Sequence, residues 1–145
     1  MRGIRIRPVV SKDFETVYAI ETQSFKDPYQ LPLLHFLYNA NRRTFLVAEK
    51  DGAVVGYVIV SVKNDLGHII SVAIRPSERK KNIGSAIVNE VLEILKDMDV
   101  RLVRLEVRCS NAEAQSFYEL LGFTQSHTLD KYYGDEDAFV YFKLL

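Results

Sequence analysis

The stretch from Arg79 to Ala86, RKKNIGSA, combines residue types that could hold an anion. Three basic side chains precede Asn82 and Gly84, and a segment with helical apolar periodicity follows. The first turn of a helix presents unpaired N–H groups and the positive end of the helix dipole, which favour phosphate or pyrophosphate. Gly84 would let the backbone approach such a ligand closely. The alternative is a solvated charge run at the start of a surface helix.

This stretch differs from two common nucleotide-binding loops. No Gly-Lys-Ser/Thr follows, so the hydroxyl that holds magnesium in a P-loop is missing, and the G-x-G-x-x-G pattern of dinucleotide sites is absent. A pyrophosphate site without metal or hydride chemistry suggests coenzyme A. Asn82 stands where phosphate loops usually have glycine. We predict that it supplies a backbone N–H at positive φ, because asparagine enters that region readily.

The elements that would position this loop follow from periodicity and turn signals. The run IRIRPVV predicts a first strand ending at Pro8, and Ser11 is expected to cap a helix that runs to Phe25. A short apolar helix, LLHFLYNA, comes next. Asp51-Gly52 separates two β-rich runs and is a strong hairpin signal. The first half of the chain therefore predicts one strand, two helices and a hairpin.

The second half alternates strands and helices. GHIISVAIRP predicts a strand stopped at Pro76, and apolar residues at helical spacing predict a helix from Ile83 to Met98. The β-rich run VRLVRLEVRC precedes a helix in SNAEAQSFYELLGF, with a capping box expected from Ser110 to Glu113 and a stop at Gly122. Two strands around a polar loop follow. The order βααβββαβαββ predicts an α/β (α+β) fold, a mixed sheet with helices packed on it.

Length and composition restrict the class of protein. The chain has 145 residues, which fits one domain spanning residues 1–145. Its 19 basic and 19 acidic residues balance, which argues against a protein that coats nucleic acid. Cys109 is the single cysteine, so no intrachain disulfide and no Cys/His metal cluster is expected. No signal-peptide pattern or membrane-spanning run is evident, and we expect a cytoplasmic protein.

The loop and its surroundings resemble one enzyme family. RKKNIGSA resembles the Q/R-x-x-G-x-G/A signature of the GCN5-related N-acetyltransferase (GNAT) superfamily, with Asn82 at the first glycine position. GHIISVAIRP, LEVRCSNAEAQSFYELLGF and YYGDEDA are similar to its protein N-terminal acetyltransferase branch, which includes RimI-type enzymes and NatA-type catalytic subunits. This resemblance covers nearly the whole chain. It implies the GNAT fold, a mostly antiparallel sheet of about seven strands with about four helices, and acetyl-CoA without a metal.

The resemblance also implies where acetyl-CoA binds. The phosphate loop would take the pyrophosphate, and the strand SVAIRP would pair its backbone with the pantetheine arm. Asn111 is expected to cap its helix and to hydrogen-bond the same arm. The implied cofactor-binding residues are Val72, Ala73, Ile74, Arg79, Lys80, Lys81, Asn82, Ile83, Gly84, Ser85, Ala86, Asn111, Ala114 and Tyr118.

Three residues are candidates for the chemistry. The resemblance implies that the Tyr118 hydroxyl faces the coenzyme sulfur as general acid, because a protonated thiol leaves more readily. Glu106 occupies the position of the base in RimI-like enzymes, and His68 on the neighbouring strand could share proton removal. Structural alternatives are core packing for Tyr118 and a polar strand-edge position for His68. For Glu106 the alternative is a cross-strand ion pair with Arg104 or Arg108.

The pKa of the amine determines how strong a base the enzyme needs. An α-amino group with a pKa of 7.7–8.0 is roughly one-tenth neutral at pH 7, whereas a lysine side chain near 10.4 is neutral in about one molecule in a few thousand. An N-terminal substrate therefore needs only a modest base. In the family, two loops contact the peptide, and the implied residues here are Phe25, Pro28, Tyr29, Tyr132 and Tyr133. Hairpin packing is the alternative for the last two.

The sequence thus predicts an acetyl-CoA-dependent Nα-acetyltransferase that acts on protein or peptide N-termini by direct attack. Two alternatives stay open: a GNAT enzyme for lysine or small amines, and a coenzyme-A-binding regulatory module without catalysis. Contact with the ribosome through Arg79, Lys80, Lys81, Arg42 and Arg43 also stays open. So do the need for an auxiliary subunit and the choice between a monomer and a dimer. No specific nucleic acid and no membrane is expected as a partner.

Overall fold

A computed structural model of the protein describes residues 3–145, and Met1 and Arg2 lie outside the described residues. The predicted order of strands and helices is confirmed. In the described part of the chain, no helix is long and apolar enough to cross a lipid bilayer. The elements are β1 (Ile4–Pro8), α1 (Phe14–Ser24), α2 (Leu31–Ala40), β2 (Phe45–Lys50), β3 (Ala53–Lys63), β4 (Leu66–Ile74), α3 (Ile83–Asp97), β5 (Leu102–Arg108), α4 (Ala112–Leu120), β6 (Thr124–Leu129) and β7 (Ala138–Leu144).

All seven strands form one sheet in the order β1-β2-β3-β4-β5-β7-β6. Every neighbouring pair is antiparallel except β4 and β5, which are parallel because α3 crosses between them. The predicted mixed, mostly antiparallel sheet flanked by four helices is therefore confirmed. The single parallel pair lies in the middle of the sheet, and the candidate site forms there.

Helices cover both faces of the sheet. Helix α1 buries Phe14, Val17 and Ile20 in an apolar cluster on one face. Helix α3 buries Ile87 and Val91 in a second cluster on the other face. Because both faces are covered, the interior strand β3 is almost continuously apolar and buried from residue 54 to residue 60. The sheet is therefore a rigid platform for the groups at its centre.

The first hairpin forms where the sequence predicts it. Asp51 and Gly52 both have positive φ, 53° and 83°, as a two-residue type I′ turn requires. This turn joins β2 to β3 in antiparallel register, with Lys50 opposite Ala53. The hairpin signal in the sequence is therefore confirmed in its position.

The start of α1 differs from the prediction. The predicted cap, Ser11, lies inside a short 3-10 turn that precedes the helix, and α1 begins at Phe14. The turn is held by the carboxylate of Asp13, which accepts hydrogen bonds from the Val10 backbone N and from Arg7 Nη1, both at 2.8 Å. An ionised carboxylate that also pairs with an arginine is a stronger acceptor than a serine hydroxyl, so it displaces the predicted cap.

The start of α4 also corrects the sequence-based prediction. The predicted capping box between Ser110 and Glu113 is wrong, because Asn111 is the N-cap and its Oδ1 accepts a hydrogen bond from the Ala114 backbone N at 3.1 Å. The capping role expected for Asn111 is confirmed. Gly122, with φ of 92°, follows the end of α4 as predicted.

Candidate active site

The candidate site lies in a gap between β4 and β5. The two strands are paired only from Leu66 to His68 of β4, against Leu102 to Arg104 of β5, and beyond this point no residues pair. Strand β4 also carries one extra residue, Ile70, where its register with β3 shifts. The strands therefore diverge after His68 and leave a cleft of about 250 Å³.

The unpaired edge of β4 continues from this cleft to the phosphate loop. Val72, Ala73 and Ile74 pair with β3 on one side, and the side that would face β5 carries no partner strand. Backbone groups of Val72 and Ala73 on this side can therefore pair with an extended ligand, as the resemblance implies for pantetheine, whereas the Ile74 carbonyl oxygen already accepts a hydrogen bond from Arg79. Val72 lines the cleft, and the other two residues lead towards the loop before α3.

The backbone of the loop before α3 has two left-handed residues. Asn82 has φ of 65° and ψ of 14°, so its predicted positive φ is confirmed. Lys80 also has a positive φ, 62°, which the sequence analysis did not foresee. Within residues 3–145, no side chain caps the first turn of α3. The N–H groups at this helix start are therefore available to an anion.

The three basic side chains of this loop do different things. The Arg79 guanidinium turns back and donates to the Ile74 carbonyl oxygen at 2.9 Å and to Ser24 Oγ at 3.0 Å. Lys81 pairs with Glu78 at 3.3 Å, and Lys80 is exposed. Arg79 therefore fixes the loop against β4 and α1 in this structure instead of extending towards an anion.

Gly84 has a packing role beside its place in the motif. A Cβ atom at this position would lie 3.3 Å from the Phe117 ring of α4 and 3.7 Å from Ile74. Contacts of 3.3 Å are tighter than most Cβ atoms show, so a larger residue would require the Phe117 ring to shift by a few tenths of an ångström. The glycine therefore keeps the start of α3, with Ser85 and Ala86, close to the end of β4.

Helix α4 brings three predicted cofactor residues, Asn111, Ala114 and Tyr118, to the cleft wall. The Tyr118 ring packs edge-on against Phe117 and Phe123, at centroid distances of 5.0 and 5.6 Å. Burial raises the pKa of the Tyr118 hydroxyl, and nearby Tyr133 adds to the effect. The hydroxyl therefore stays protonated at neutral pH and can donate a proton or a hydrogen bond.

His68 and Glu106 meet across the mouth of the gap. His68 Nε2 lies 2.6 Å from Glu106 Oε1, and Tyr132 Oη donates to the same oxygen at 3.4 Å. The Glu106 side chain is 8% exposed. The sequence-based alternative of an ion pair with Arg104 is also present, since Arg104 Nε lies 3.6 Å from Glu106 Oε2, but within β5 and not across strands.

Arg104 assigns the tautomer of His68. Its Nη2 lies 3.5 Å from His68 Nδ1 and can only donate, so in a neutral imidazole Nδ1 accepts and Nε2 carries the proton. Nε2 then donates to Glu106 Oε1. In this arrangement His68 orients Glu106.

The acidity of Glu106 reflects opposing effects. Burial of the carboxyl group acts to raise its pKa, but the hydrogen bond and the electrostatic attraction of His68, followed by the charge of Arg104, outweigh burial, and the pKa lies below its ordinary value. Glu106 is therefore ionised at neutral pH. Its Oε2 receives no hydrogen bond from the described residues and lies 3.6 Å from Arg104 Nε, so it keeps the capacity to accept a proton.

Two loops frame the other side of the cleft. Phe25 follows the last residue of α1, although the sequence predicted it inside the helix, and it lines the cleft together with Tyr29. Tyr132 and Tyr133 also line the cleft, and their rings stack edge-on at 4.9 Å. The predicted substrate residue Pro28 does not line it.

An ion cluster joins these two loops. Arg108 donates to Asp27 at 3.2 Å in the loop after α1, and to Asp135 at 3.0 Å and Glu136 at 3.2 Å in the loop after β6. Lys26 also pairs with Asp135. The sequence analysis missed this link, because only the fold brings the two loops together.

Sequence reasoning also missed Glu21, a fully buried carboxylate that lines the cleft. It lies on the apolar face of α1, four residues after Val17 and seven after Phe14. An acidic residue at helical spacing on an apolar face is the signal that could have identified it.

Residues 14–123 match the model of the acetyltransferase (GNAT) family. That span includes most of the chain, with the phosphate loop, the diverging strands and Tyr118. This chain belongs to the GNAT family. The chain is therefore an acetyltransferase with acetyl-CoA as the acetyl donor.

Relatives of this GNAT acetyltransferase cover almost all of it. A putative [ribosomal protein bS18]-alanine N-acetyltransferase of Bacillus subtilis is 33% identical, over 93% of this chain and 91% of the relative. An N-alpha-acetyltransferase of Sulfurisphaera tokodaii is 31% identical, over 94% of this chain and 90% of the relative. The crystal structure of Ard1 from Thermoplasma volcanium is 30% identical with a TM-score of 0.95, covering 99% of this chain and 98% of that one.

The residues of this GNAT acetyltransferase fit acetyl-CoA. The left-handed Lys80 and Asn82 and the uncapped start of α3 form a cradle of backbone N–H groups that suits pyrophosphate. The free edge of β4 suits the amides of pantetheine, and Asn111 borders the same gap. Among the described residues, no cluster of three or more metal-ligating side chains is present.

Proposed function

We propose that this enzyme acetylates the α-amino group of protein or peptide N-termini by direct transfer from acetyl-CoA. The observation that carries this proposal is the Glu106 carboxylate, whose pKa lies below its ordinary value at the cleft wall. Such a carboxylate is a weak base. It suits an α-amine, of which about a tenth is neutral at pH 7, far better than a lysine side chain.

In the proposed mechanism Glu106 removes the proton from the amine. Its Oε1 is held by His68 and Tyr132, which leaves Oε2 to accept the proton directly or through one water molecule. His68 acts as the partner that orients Glu106, in the tautomer that Arg104 assigns. The neutral amine can then attack the acetyl carbonyl carbon.

Tyr118 is the proposed general acid. Bound acetyl-CoA supplies an acetyl thioester whose sulfur leaves as a thiolate. The protonated Tyr118 hydroxyl at the cleft wall would donate a hydrogen bond or proton to that sulfur, which lowers the cost of the leaving group. Cys109 has no role in this scheme. Burial raises the pKa of its thiol, so it is a poor nucleophile at neutral pH.

The names of the relatives support the same substrate class. One is named for alanine N-acetylation of a ribosomal protein and another as an N-alpha-acetyltransferase. We therefore extend the proposed substrates to N-termini of ribosomal proteins, reached in the cytoplasm. Of the five basic residues expected to contact the ribosome, Arg79 and Lys81 are engaged within the chain, and the exposed Lys80, Arg42 and Arg43 are the proposed contact. Tyr29, Tyr132 and Tyr133 are the proposed side chains that border the first residues of the peptide.

The test is a panel of peptides that differ in their first two residues, beside matched peptides with a blocked N-terminus and an internal lysine. Incubation with acetyl-CoA is followed by mass spectrometry that locates the acetyl group. We expect acetylation of free N-termini with clear preferences among first residues. Acetylation confined to lysine in the blocked peptides would contradict the proposal and support a lysine acetyltransferase instead.

A further inference from the structure

Glu21 is a carboxylate buried beneath the cleft. It is 1% exposed, and its oxygens accept three hydrogen bonds from neutral donors. Oε1 accepts from the Tyr57 hydroxyl and from Ser71 Oγ at 2.9 Å, and Oε2 accepts from the Tyr29 backbone N at 3.0 Å. None of the ion pairs among the described residues includes Glu21. Burying such a group is costly, so its presence calls for a reason.

The partners of Glu21 lie on the two sides of the cleft. Tyr29 belongs to the loop between α1 and α2 that frames the amine side. Ser71 belongs to β4, between the extra residue Ile70 and Val72, where the strand edge becomes free. One carboxylate thus connects the peptide-side loop to the strand that faces acetyl-CoA. A simple core residue would not need to link these two parts.

Tyr29 lines the same cleft as the proposed base, Glu106. Burial raises the pKa of the Tyr29 hydroxyl, and Tyr132, Glu21 and Glu106 add to the effect. Holding the backbone of Tyr29 therefore fixes a side chain that borders the position of the amine.

We propose that Glu21 is a positioning residue for the amine substrate. Its Oε2 anchors the loop between α1 and α2 through the Tyr29 N–H, while Oε1 ties the same group to β4. The anchored loop holds the first residue of the peptide at a fixed distance from Glu106 and from the acetyl group. This inference rests on the proposed function only in naming a peptide N-terminus as the substrate.

Three substitutions of Glu21 distinguish its hydrogen bond to the Tyr29 N–H, the anchor, from its negative charge. In Glu21→Gln the amide oxygen can accept from the Tyr29 N–H, and the amide NH₂ can donate to the Tyr57 and Ser71 hydroxyls, which rotate to accept. This variant loses the charge and keeps the anchor. Glu21→Ala loses both. Glu21→Met fills the same space without an acceptor, and it serves if the alanine variant does not fold.

The experiment measures kcat and KM for both substrates with the full chain and a peptide that the wild type acetylates. Glu21→Ala or Glu21→Met should raise the peptide KM about tenfold and flatten the preference among first residues. The KM for acetyl-CoA should stay unchanged and kcat should fall by no more than about threefold, because the chemical groups remain in place. Glu21→Gln should bring the peptide KM back to within about threefold of the wild type.

Several outcomes would overturn this role. One is a wild-type peptide KM in both the alanine and methionine variants, and another is an equal rise in the KM of both substrates, as general loosening would give. A glutamine variant as weak as alanine would show that charge, not the anchor, matters. If the wild type acetylates only lysine, the proposed function fails, and the same measurements on the lysine peptide still test Glu21.

Discussion

The two sides of the cleft differ in the groups that form them, since one consists of backbone and the other of side chains. The side proposed to bind acetyl-CoA, the acetyl-CoA side, consists of backbone: the free edge of β4, two left-handed residues and the uncapped start of α3. The side proposed to bind the amine, the amine side, consists of side chains from separate elements, with His68 on β4, Glu106 on β5 and Tyr132 in the loop after β6. The first side therefore depends on local sequence, and the second depends on the fold that assembles it. A substitution on the amine side should therefore leave acetyl-CoA binding unchanged, and a substitution on the acetyl-CoA side should leave the groups that bind the amine in place.

The largest expected effect is on the amine side. Glu106→Gln should lower kcat/KM for an N-terminal peptide by about 100-fold at pH 7, because general base catalysis contributes roughly that much. Acetyl-CoA affinity, measured by calorimetry, should stay at the wild-type value. A matching loss of acetyl-CoA affinity would show that the two sides are not separate.

Tyr118 lies where the two sides meet. Tyr118→Phe keeps the ring packed against Phe117 and Phe123 but removes the hydroxyl, so kcat should fall by about 10- to 100-fold while the peptide KM changes little. Stopped-time assays at saturating acetyl-CoA give both values. An unchanged kcat would remove the proposed acid role.

The next largest effect is a shift in the pH dependence of kcat/KM when Arg104 is replaced. Its charge helps to hold the pKa of Glu106 below its ordinary value, so Arg104→Gln should raise that pKa. The acidic limb of the kcat/KM profile, where Glu106 becomes protonated, should then move to higher pH, and activity should be lost earlier as pH falls. The measurement is kcat/KM of both enzymes from about pH 3.5 to pH 8, a range that includes the pH at which a carboxyl group with a lowered pKa becomes protonated; a limb that stays in place or moves to lower pH would contradict the assignment.

The smallest effect is expected at Asn82, on the acetyl-CoA side. Asn82→Gly keeps the positive φ, so acetyl-CoA should bind equally well or slightly tighter. Asn82→Ala is the control, because alanine disfavours this conformation by about 1–2 kcal/mol and should weaken binding several-fold. A clear loss in the glycine variant would mean that the amide side chain itself contacts the cofactor.

The sequence predicted the acetyl-CoA side better than the amine side. The RKKNIGSA stretch is contiguous, and asparagine's tolerance of positive φ predicted the conformation of Asn82. The positive φ of Lys80 had no such signal, because lysine carries no preference for that region. The inward turn of Arg79 depends on Ser24, which is distant in sequence.

On the amine side, the sequence predicted individual residues but not the contacts between them. Glu106 and His68 could be placed on neighbouring strands at a similar level, but which nitrogen faces the carboxylate depends on Arg104. The link of Arg108 to two loops is a property of the assembled fold. The wrong prediction at the start of α1 has a similar origin. The carboxylate of Asp13, which pairs with Arg7, holds the turn that Ser11 was expected to cap.

The pH dependence of Glu106→Gln tests the role of a weak base most directly. The measured quantity is the ratio of wild-type to variant kcat/KM for one N-terminal peptide at pH 7 and at pH 9.5. If Glu106 serves to deprotonate the α-amine, the ratio should shrink from about 100 to about 10, because the free amine is already neutral at the higher pH. A ratio that stays constant would contradict the base role and leave Glu106 as a structural group of the cleft.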